Sequence, residues 1–466
     1  MPDDQIVVLT ESRAVAAPGR RVVRLAFAVA FVSLVVSLIY YGIAVHKAVI
    51  YPFGIDPGEG NIWQQLREIA AGGGFGPING FPAIGFEYPP VYHFFVAVFS
   101  GVTGLDQLAA GRLLSVISTF AMSWVIAAIV ARMTREEGGS GRSAWICGTI
   151  AALMIFTLVP VLHWSRFMRV DMLALFFSFA GFYFGTRALV QPRAIHLAAL
   201  CFVAAIFTKQ TSIAAPVAVF GLLLVLRPRI AWPGIATGIV TSFAALAYLC
   251  WRTDNGFLEH ILFNNVNRMD YSRLLQVPSI IGFHSLYFCV AMIGAVTYVQ
   301  GRLPDYRNCR GVIAVRNRIA SSTGDSQHLM VFGYFLLTSI MLVTYAKLGA
   351  TYNYFIEWLC VVTVIAGLSL RIAADYVTGS DRKSASFILM IFFPVAIAVQ
   401  ACILSKTPQD EKNWGAAQTA ELNRLSQLVR AADRPVISDE MVLLIKSGKP
   451  VVWEPSIFAE LASLGR

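Results

Sequence analysis

The sequence predicts an all-α polytopic membrane protein with about eleven transmembrane helices, a long first outer loop and a small outer α/β segment at its C-terminal end. Three observations predict it. Hydrophobic residues make up 57% of the 466 positions and charged residues only 14%, whereas a soluble domain carries about 25% charged residues. Apolar runs close to the ~20 residues that cross a bilayer recur along the chain, among them 22–45, 144–162, 279–300 and 329–346. Lys and Arg concentrate in alternate connections, the bias that orients membrane proteins.

Each element follows from that bias. The N-terminus carries Arg13, Arg20, Arg21 and Arg24 and runs into a full-length span, so it reads as a cytoplasmic, retained anchor. Residues 46–110 form the outer loop, with an amphipathic stretch at 61–70 lying on the membrane. The run 91–102 starts after Pro89-Pro90 and is too short to span comfortably, so it reads as re-entrant or interfacial. If it crossed, everything after it would invert, and the Arg-rich segment 301–328 would lie outside. Residues 112–130 then cross inward to Arg132, Arg135 and Arg142, and 144–162 cross outward. Residues 170–185 return to Arg187 and Arg193. The short pair 195–207 and 212–226 places Lys209 outside and Arg227 and Arg229 inside. Residues 233–251 go out and 279–300 come back to Arg302, Arg307, Arg310, Arg316 and Arg318. Residues 329–346 go out, 354–370 return to Arg371, Arg382 and Lys383, and 385–404 leave last. The inner connections then hold roughly twice the Lys and Arg of the outer ones. The chain divides into a membrane domain, 1–404, and an outer segment, 405–466. In the latter, a helix at 413–432 precedes short strands at 435–438 and 450–453 around a helix at 441–446. Its abrupt end after Leu464 reads as an incomplete domain.

The net charge of +10 is explained by this topology and by anionic headgroups, so nucleic acid is not an expected partner. The seven Cys have no metal-ligand or redox spacing. There is no HExxH, Walker A, GxSxG or dinucleotide fingerprint.

The informative polar residues lie on the outer face. Asp56, in Asp56-Pro-Gly-Glu-Gly60, is either a general base for a hydroxyl or the N-cap of the helix that follows, with Glu59 one turn on. Glu87 precedes Tyr88-Pro-Pro-Val-Tyr92, where the double proline fixes an extended backbone; it either faces a site or caps a helix. Arg166, Arg169 and Asp171 sit at the edge of an apolar run. Charges there are costly and point to phosphate binding, unless Arg169 and Asp171 merely satisfy each other. Lys209, in Thr208-Lys-Gln-Thr211, reads either as a phosphate contact or as a side chain snorkelling to headgroups. Arg112, Arg268, Lys347, Tyr352, Asn353 and Tyr354 share this face; aromatics there anchor the interface or stack on sugars.

An acid just after the first span, an acid before Pro-Pro at the end of a long first loop, and Arg-x-Asp before an inward span together resemble the GT-C glycosyltransferases. The phrases that carry the resemblance are Asp56-Pro-Gly-Glu-Gly60, Tyr88-Pro-Pro-Val-Tyr92, Ala110-Gly-Arg-Leu-Leu-Ser115, Arg169-Val-Asp-Met-Leu-Ala174 and Thr208-Lys-Gln-Thr211. They lie within residues 22–226 and are similar to the branch of lipid A aminoarabinose transferases, protein O-mannosyltransferases and rhizobial galacturonosyltransferases. In the tail, Ile437-Ser-Asp-Glu440 and Gly448-Lys-Pro-Val451 resemble bacterial members. The resemblance implies Asp56 as base, with Glu87 and Asp171 as further acids; Glu59, typical of the bacterial branch, is a catalytic candidate to which the resemblance assigns no role. It implies Arg112, Arg169 and Lys209 on a carrier phosphate; Tyr88, Tyr92, Arg166, Gln210, Lys347, Tyr352 and Asn353, near the same face, are read beside them as candidate substrate contacts. Tyr88 departs from the aminoarabinose transferases, which have a basic residue there, and this leaves the sugar undefined. The expected function is inverting transfer of a sugar from a polyprenyl-phosphate donor to a lipid, polysaccharide or protein acceptor, on the outer face of the cell's inner membrane. A divalent metal among Asp56, Glu87 and Asp171 is the one cofactor the sequence admits. The alternative is a transporter or flippase of a lipid-linked sugar, since intramembrane charges and broken helices suit that too.

Overall fold

In a computed structural model, residues 18–78, 82–265, 268–379, 386–405 and 415–454 are described, together with residues 458 and 462. Arg13, Arg382, Lys383 and the chain end after Leu464 lie outside the described residues. The helices are α1 (Pro18–Ile50), α2 (Pro57–Ala70), α3 (Val91–Thr103), α4 (Gln107–Glu136), α5 (Gly141–Met154), α6 (Val159–Trp164), α7 (Asp171–Arg187), α8 (Ala194–Thr208), α9 (Ala214–Leu226) and α10 (Pro228–Arg252). After the turn α11 (Gly256–Leu258) come α12 (Val277–Phe283), α13 (Ser285–Tyr306), α14 (Val312–Ser321), α15 (Thr323–Met341), α16 (Ile356–Ser369), α17 (Arg371–Thr378), α18 (Phe387–Ser405), α19 (Ala416–Ala431) and α20 (Met441–Lys446).

Among the described residues, seven helices are long and apolar enough to cross a membrane, and all seven fall on expected spans. The other four expected crossings fall on the shorter helices α5, α7, α8 and α9. Backbone hydrogen bonds must be satisfied internally in lipid, which is why apolar runs become helices. Lipid accepts an apolar exterior, and only 6% of the apolar window of α10 is buried inside the molecule, against 83% for the segment containing α16. The main core gathers side chains from α4, α5, α7, α9 and α16, including Met122, Met154, Phe179, Val219 and Val362.

The residues on either side of α3 return to the same end of the bundle. Glu59 precedes the helix and Arg112 follows it, yet the two side chains meet at 2.7 Å. A crossing between them would place them on opposite sides. Pro90 caps the start of α3 without a side-chain bond, and Gly104 ends it in the left-handed conformation. Phe94, Phe95, Val98 and Val102 stay exposed along its outer face.

The tail differs from the expected α/β unit. Residues 435–438 form no strand, and Trp453 makes only a single parallel bridge, with Ala83 of the long loop. The reason is packing. The segment docks on the loop instead of folding on itself: Met441, Leu443, Leu444 and Val451 share a cluster with Tyr51, Phe53, Phe75 and Phe86. At Gly60 a Cβ would stand 2.7 Å from the Cβ of Met441, so glycine is what permits this approach of α2 to α20.

Candidate active site

Connections far apart in sequence converge on one end of the bundle. They enclose a cavity of about 1160 Å³ lined by Asp56, Glu87, Arg169, Lys209, Lys347 and Asn353, among others. Charged residues of the opposite end meet one another instead. Glu137 binds Arg371 and lies 3.0 Å from His328, and Asp325 accepts from Tyr298 and Tyr306 at 2.9 and 2.8 Å.

Asp56 is the N-cap of α2 in an extended conformation, its Oδ1 accepting from the Gly58 amide at 3.0 Å. The helix-start reading of Asp56 is therefore seen directly, and the residue also faces the cavity. Its Oδ1 pairs with Arg169 Nη2 at 2.7 Å, both side chains being less than one fifth exposed. The guanidinium lies across Gly58, where a Cβ would stand 2.1 Å from Arg169 Cζ. Burial alone would lower the Arg169 pKa, but the carboxylates of Asp56, Asp171 and Glu87 raise it, so the guanidinium stays charged.

Arg169 and Asp171 do not satisfy each other directly. Asp171 Oδ1 accepts from Lys209 Nζ at 2.6 Å and from Asn353 Nδ2 at 2.9 Å. Lys209 therefore turns inward, not to headgroups, with its ammonium 5.2 Å from the centre of the Tyr354 ring. Burial would depress its pKa, yet Asp171 beside it holds it above the ordinary lysine value.

Glu87 lines the cavity, and its carbonyl accepts from Gln210 Nε2 at 2.8 Å and Asn265 Nδ2 at 3.0 Å. These bonds tie three connections together at the extended segment before the double proline. Tyr88 lines the cavity too, its phenol pushed up first by burial and then by the Glu87 charge. Arg166, Lys347 and Tyr352 complete the expected members of the lining.

Asp171 lines a smaller adjoining cavity with Lys209 and Asn353, and three further expected site residues are placed elsewhere. Arg112 is fully buried and spends all five of its N–H donors inside the protein. It grips Glu59 through both carboxylate oxygens at 2.7 Å and donates to the carbonyls of Ala48, Tyr51 and Phe53. No donor is left for a carrier phosphate. Glu59, also fully buried, further accepts from the amides of Ile55 and Met168. Burial would raise its pKa, but Arg112 and these amides hold it below the usual carboxylate value. Tyr92 is buried and donates to the Gly111 carbonyl at 2.9 Å. All three fasten the first loop to α4 and contribute nothing to the cavity lining.

The sequence leaves a divalent metal open, and the described residues gather no ligand set for one. Among the described residues no group of three His, Cys, Asp or Glu side chains is arranged to hold a cation. Asp56 and Asp171 are each already bound by a cationic side chain.

Sequence reasoning missed Arg273, His163, Asn265, Tyr345 and Asp439, all of which line the cavity. Arg273 donates to the carbonyls of Lys347 and Ala350 and so shapes the loop that carries Asn353. Only Asp439 had a signal, in the tail phrase Ile437-Ser-Asp-Glu440, and that phrase suggested no role.

Comparison with known proteins agrees with the architecture. No curated protein matches the chain. The crystal structure of ArnT from Cupriavidus metallidurans in the apo state superposes with a TM-score of 0.50 at 13% identity, covering 92% of this chain and 88% of that one. The same protein bound to undecaprenyl phosphate gives a TM-score of 0.49 at 14% identity, covering 92% and 87%. At such identity the likeness to the apo structure concerns the fold, which is the expected GT-C type. The description of glycosyltransferase family 87 matches residues 86–344, more than half of the chain. The connections that carry Glu87, Arg169, Asp171 and Lys209 thus fall inside the matched region, and the chain belongs to glycosyltransferase family 87.

Proposed function

We propose that this membrane glycosyltransferase takes its sugar from a polyprenyl-phosphate carrier and transfers it to an acceptor hydroxyl on the outer face, with inversion. The observation that carries the reading is the cavity itself. One carboxylate suited to act as base, Asp56, shares it with Arg166, Arg169, Lys209, Arg273 and Lys347. Leu162, Leu348 and Leu404 belong to the same lining and suit the apolar stem of a lipid carrier. Lys/Arg bias supports the outer face for this end of the bundle, with the membrane domain at 1–404 and residues 405–466 as an outer segment.

The mechanism follows from the pairs. The donor phosphate competes with Asp56 for Arg169 and is steadied by Lys209. Asp56, released, accepts the proton of the acceptor hydroxyl. The acceptor oxygen bonds to the anomeric carbon as the bond from that carbon to the phosphate oxygen breaks. Charge growing on the departing phosphate is met by Arg169, an electrostatic contribution of about 3–4 kcal/mol for a well-placed donor. One base and a single displacement invert the anomeric centre, as in inverting glycoside hydrolysis with an alcohol in place of water. Glu87 and Asp171 act as the remaining acids of the site, and Tyr88, Tyr352 and Asn353 as sugar contacts. Family membership favours this chemistry over lipid-linked sugar flipping.

The test is transfer by the purified protein in vesicles from a panel of polyprenyl-phosphate sugars to lipid, glycan and peptide acceptors. Transfer from at least one such donor is expected. Transfer only from nucleotide sugars would overturn the donor assignment.

A further inference from the structure

The tail reaches the site. Asp439 and Met441 line the same cavity as Asp56 and Asn61. The segment is fixed there by close packing: Gly60 abuts Met441, and a Cβ at Gly54 would lie 3.3 Å from Val442 and 3.7 Å from the Glu440 carboxylate. Asn61 Nδ2 donates to Glu454 at 2.6 Å, a second tie between α2 and the tail. A third is Lys446, 3.1 Å from Asp106 and over the Trp63 ring. Asp56 and Asp171 have cationic partners at 2.7 and 2.6 Å. The Asp439 side chain, exposed at this wall, has no ion pair among the described residues. The neighbouring Glu440 carboxyl is pushed up by partial desolvation and then by the charges of Asp439, Asp56 and Glu59.

A base must stand next to the hydroxyl it deprotonates, so the wall beside Asp56 is where the acceptor lies. We propose that Asp439 is a specificity residue of the acceptor subsite, selecting an uncharged, hydroxyl-rich acceptor such as a neutral glycan and disfavouring an anionic one. An ionised carboxylate offers only acceptor oxygens, which suit the hydroxyls of a sugar. It repels a second carboxylate brought within a few ångströms, at an energy that corresponds to about tenfold or more in selectivity. This inference rests on the proposed glycosyl transfer and adds the chemical class of the acceptor.

The experiment compares octyl β-glucoside with octyl β-glucuronide as acceptors for the full-length protein in vesicles. Undecaprenyl phosphate binding and the melting temperature are measured in parallel on every variant. Wild type is expected to prefer the glucoside by about tenfold in kcat/KM. Asp439→Asn should bring the ratio to within about threefold and Asp439→Lys should reverse it, through the KM for the acceptor, with carrier binding unchanged. A merely structural role for Asp439 would lower the melting temperature and both activities together, leaving the ratio where it was, and would overturn the inference. Equal use of both acceptors by wild type would overturn it too, leaving the transfer reading intact. Transfer from a polyprenyl-phosphate donor to a lipid or peptide acceptor but to neither probe would overturn the inference alone, whereas no transfer from such a donor to any acceptor would overturn the reading it rests on as well.

Discussion

Two arginine–carboxylate pairs rise from the same turn of α2, and they do opposite things. Glu59–Arg112 is sealed from solvent, with both partners at 0% exposure. Asp56–Arg169, three residues earlier, opens on the cavity with 17% and 19% exposure. The difference lies in how far each pair is satisfied. Every donor of Arg112 is used within the protein. Arg169 shares one oxygen of Asp56 with the Gly58 amide, and its Nε has no hydrogen-bond partner. A buried pair with all its valences filled is a fastening, whereas a pair with spare valence beside a cavity can exchange partners.

The comparison can be broken most directly at the fastening. Glu59→Ala leaves a buried guanidinium without its carboxylate, which should cost about 3–5 kcal/mol of stability. The melting temperature of the detergent-solubilised variant reads this. Full stability would mean that the pair is not a fastening. At the cavity, Gly58→Ala puts a methyl where the Arg169 guanidinium now lies. Losing a charge-assisted contact to the donor phosphate should raise the KM for the donor by about ten- to a hundredfold, with little change in melting temperature.

A smaller effect sharpens the contrast through pH. Glu59 has a folded-state pKa below its ordinary value of 4.5. Its contribution to stability is therefore complete above about pH 4.5 and is lost as pH falls through the lower folded value. The melting-temperature gap between wild type and Glu59→Gln should be constant near neutrality and shrink on acidification below that point. The smallest expected effect is that of Lys446→Met, which removes the partly exposed pair with Asp106. It should cost less than about 1 kcal/mol. A greater loss would mean that the tail is held mainly by charge and not by the apolar cluster around Met441 and Leu443.

The membrane helices were legible because hydropathy dictates them. The chain's own pattern also placed Asp56, Glu87, Arg169 and Lys209 at one end, and the cavity brings them together, with Asp171 held beside it by Lys209. What was not legible was the partnering. Arg112 and Glu59 resemble site residues in sequence. Only the approach of α2 to α4, with three carbonyls turned toward one guanidinium, shows that they are occupied. Arg169 and Asp171 sit two residues apart and look like a pair, yet each takes its partner from a different connection. Arg273 has no motif around it, and the phrase Ile437-Ser-Asp-Glu440 around Asp439 suggested no role. Their place in the cavity comes from tertiary packing that local sequence does not encode. Short strands were expected in the tail, but its apolar residues pack on those of the long loop.

The most direct test of the account is sugar transfer from a polyprenyl-phosphate donor by wild type, Asp56→Asn and Glu59→Gln, each normalised to folded protein by melting temperature. Asn caps a helix about as well as Asp, so Asp56→Asn should remain folded. It should lose about a hundredfold or more in kcat through loss of the base, while Glu59→Gln should lose stability and keep most of its activity per folded molecule. Undiminished transfer by folded Asp56→Asn would contradict the account and move the base to Glu87 or Asp171.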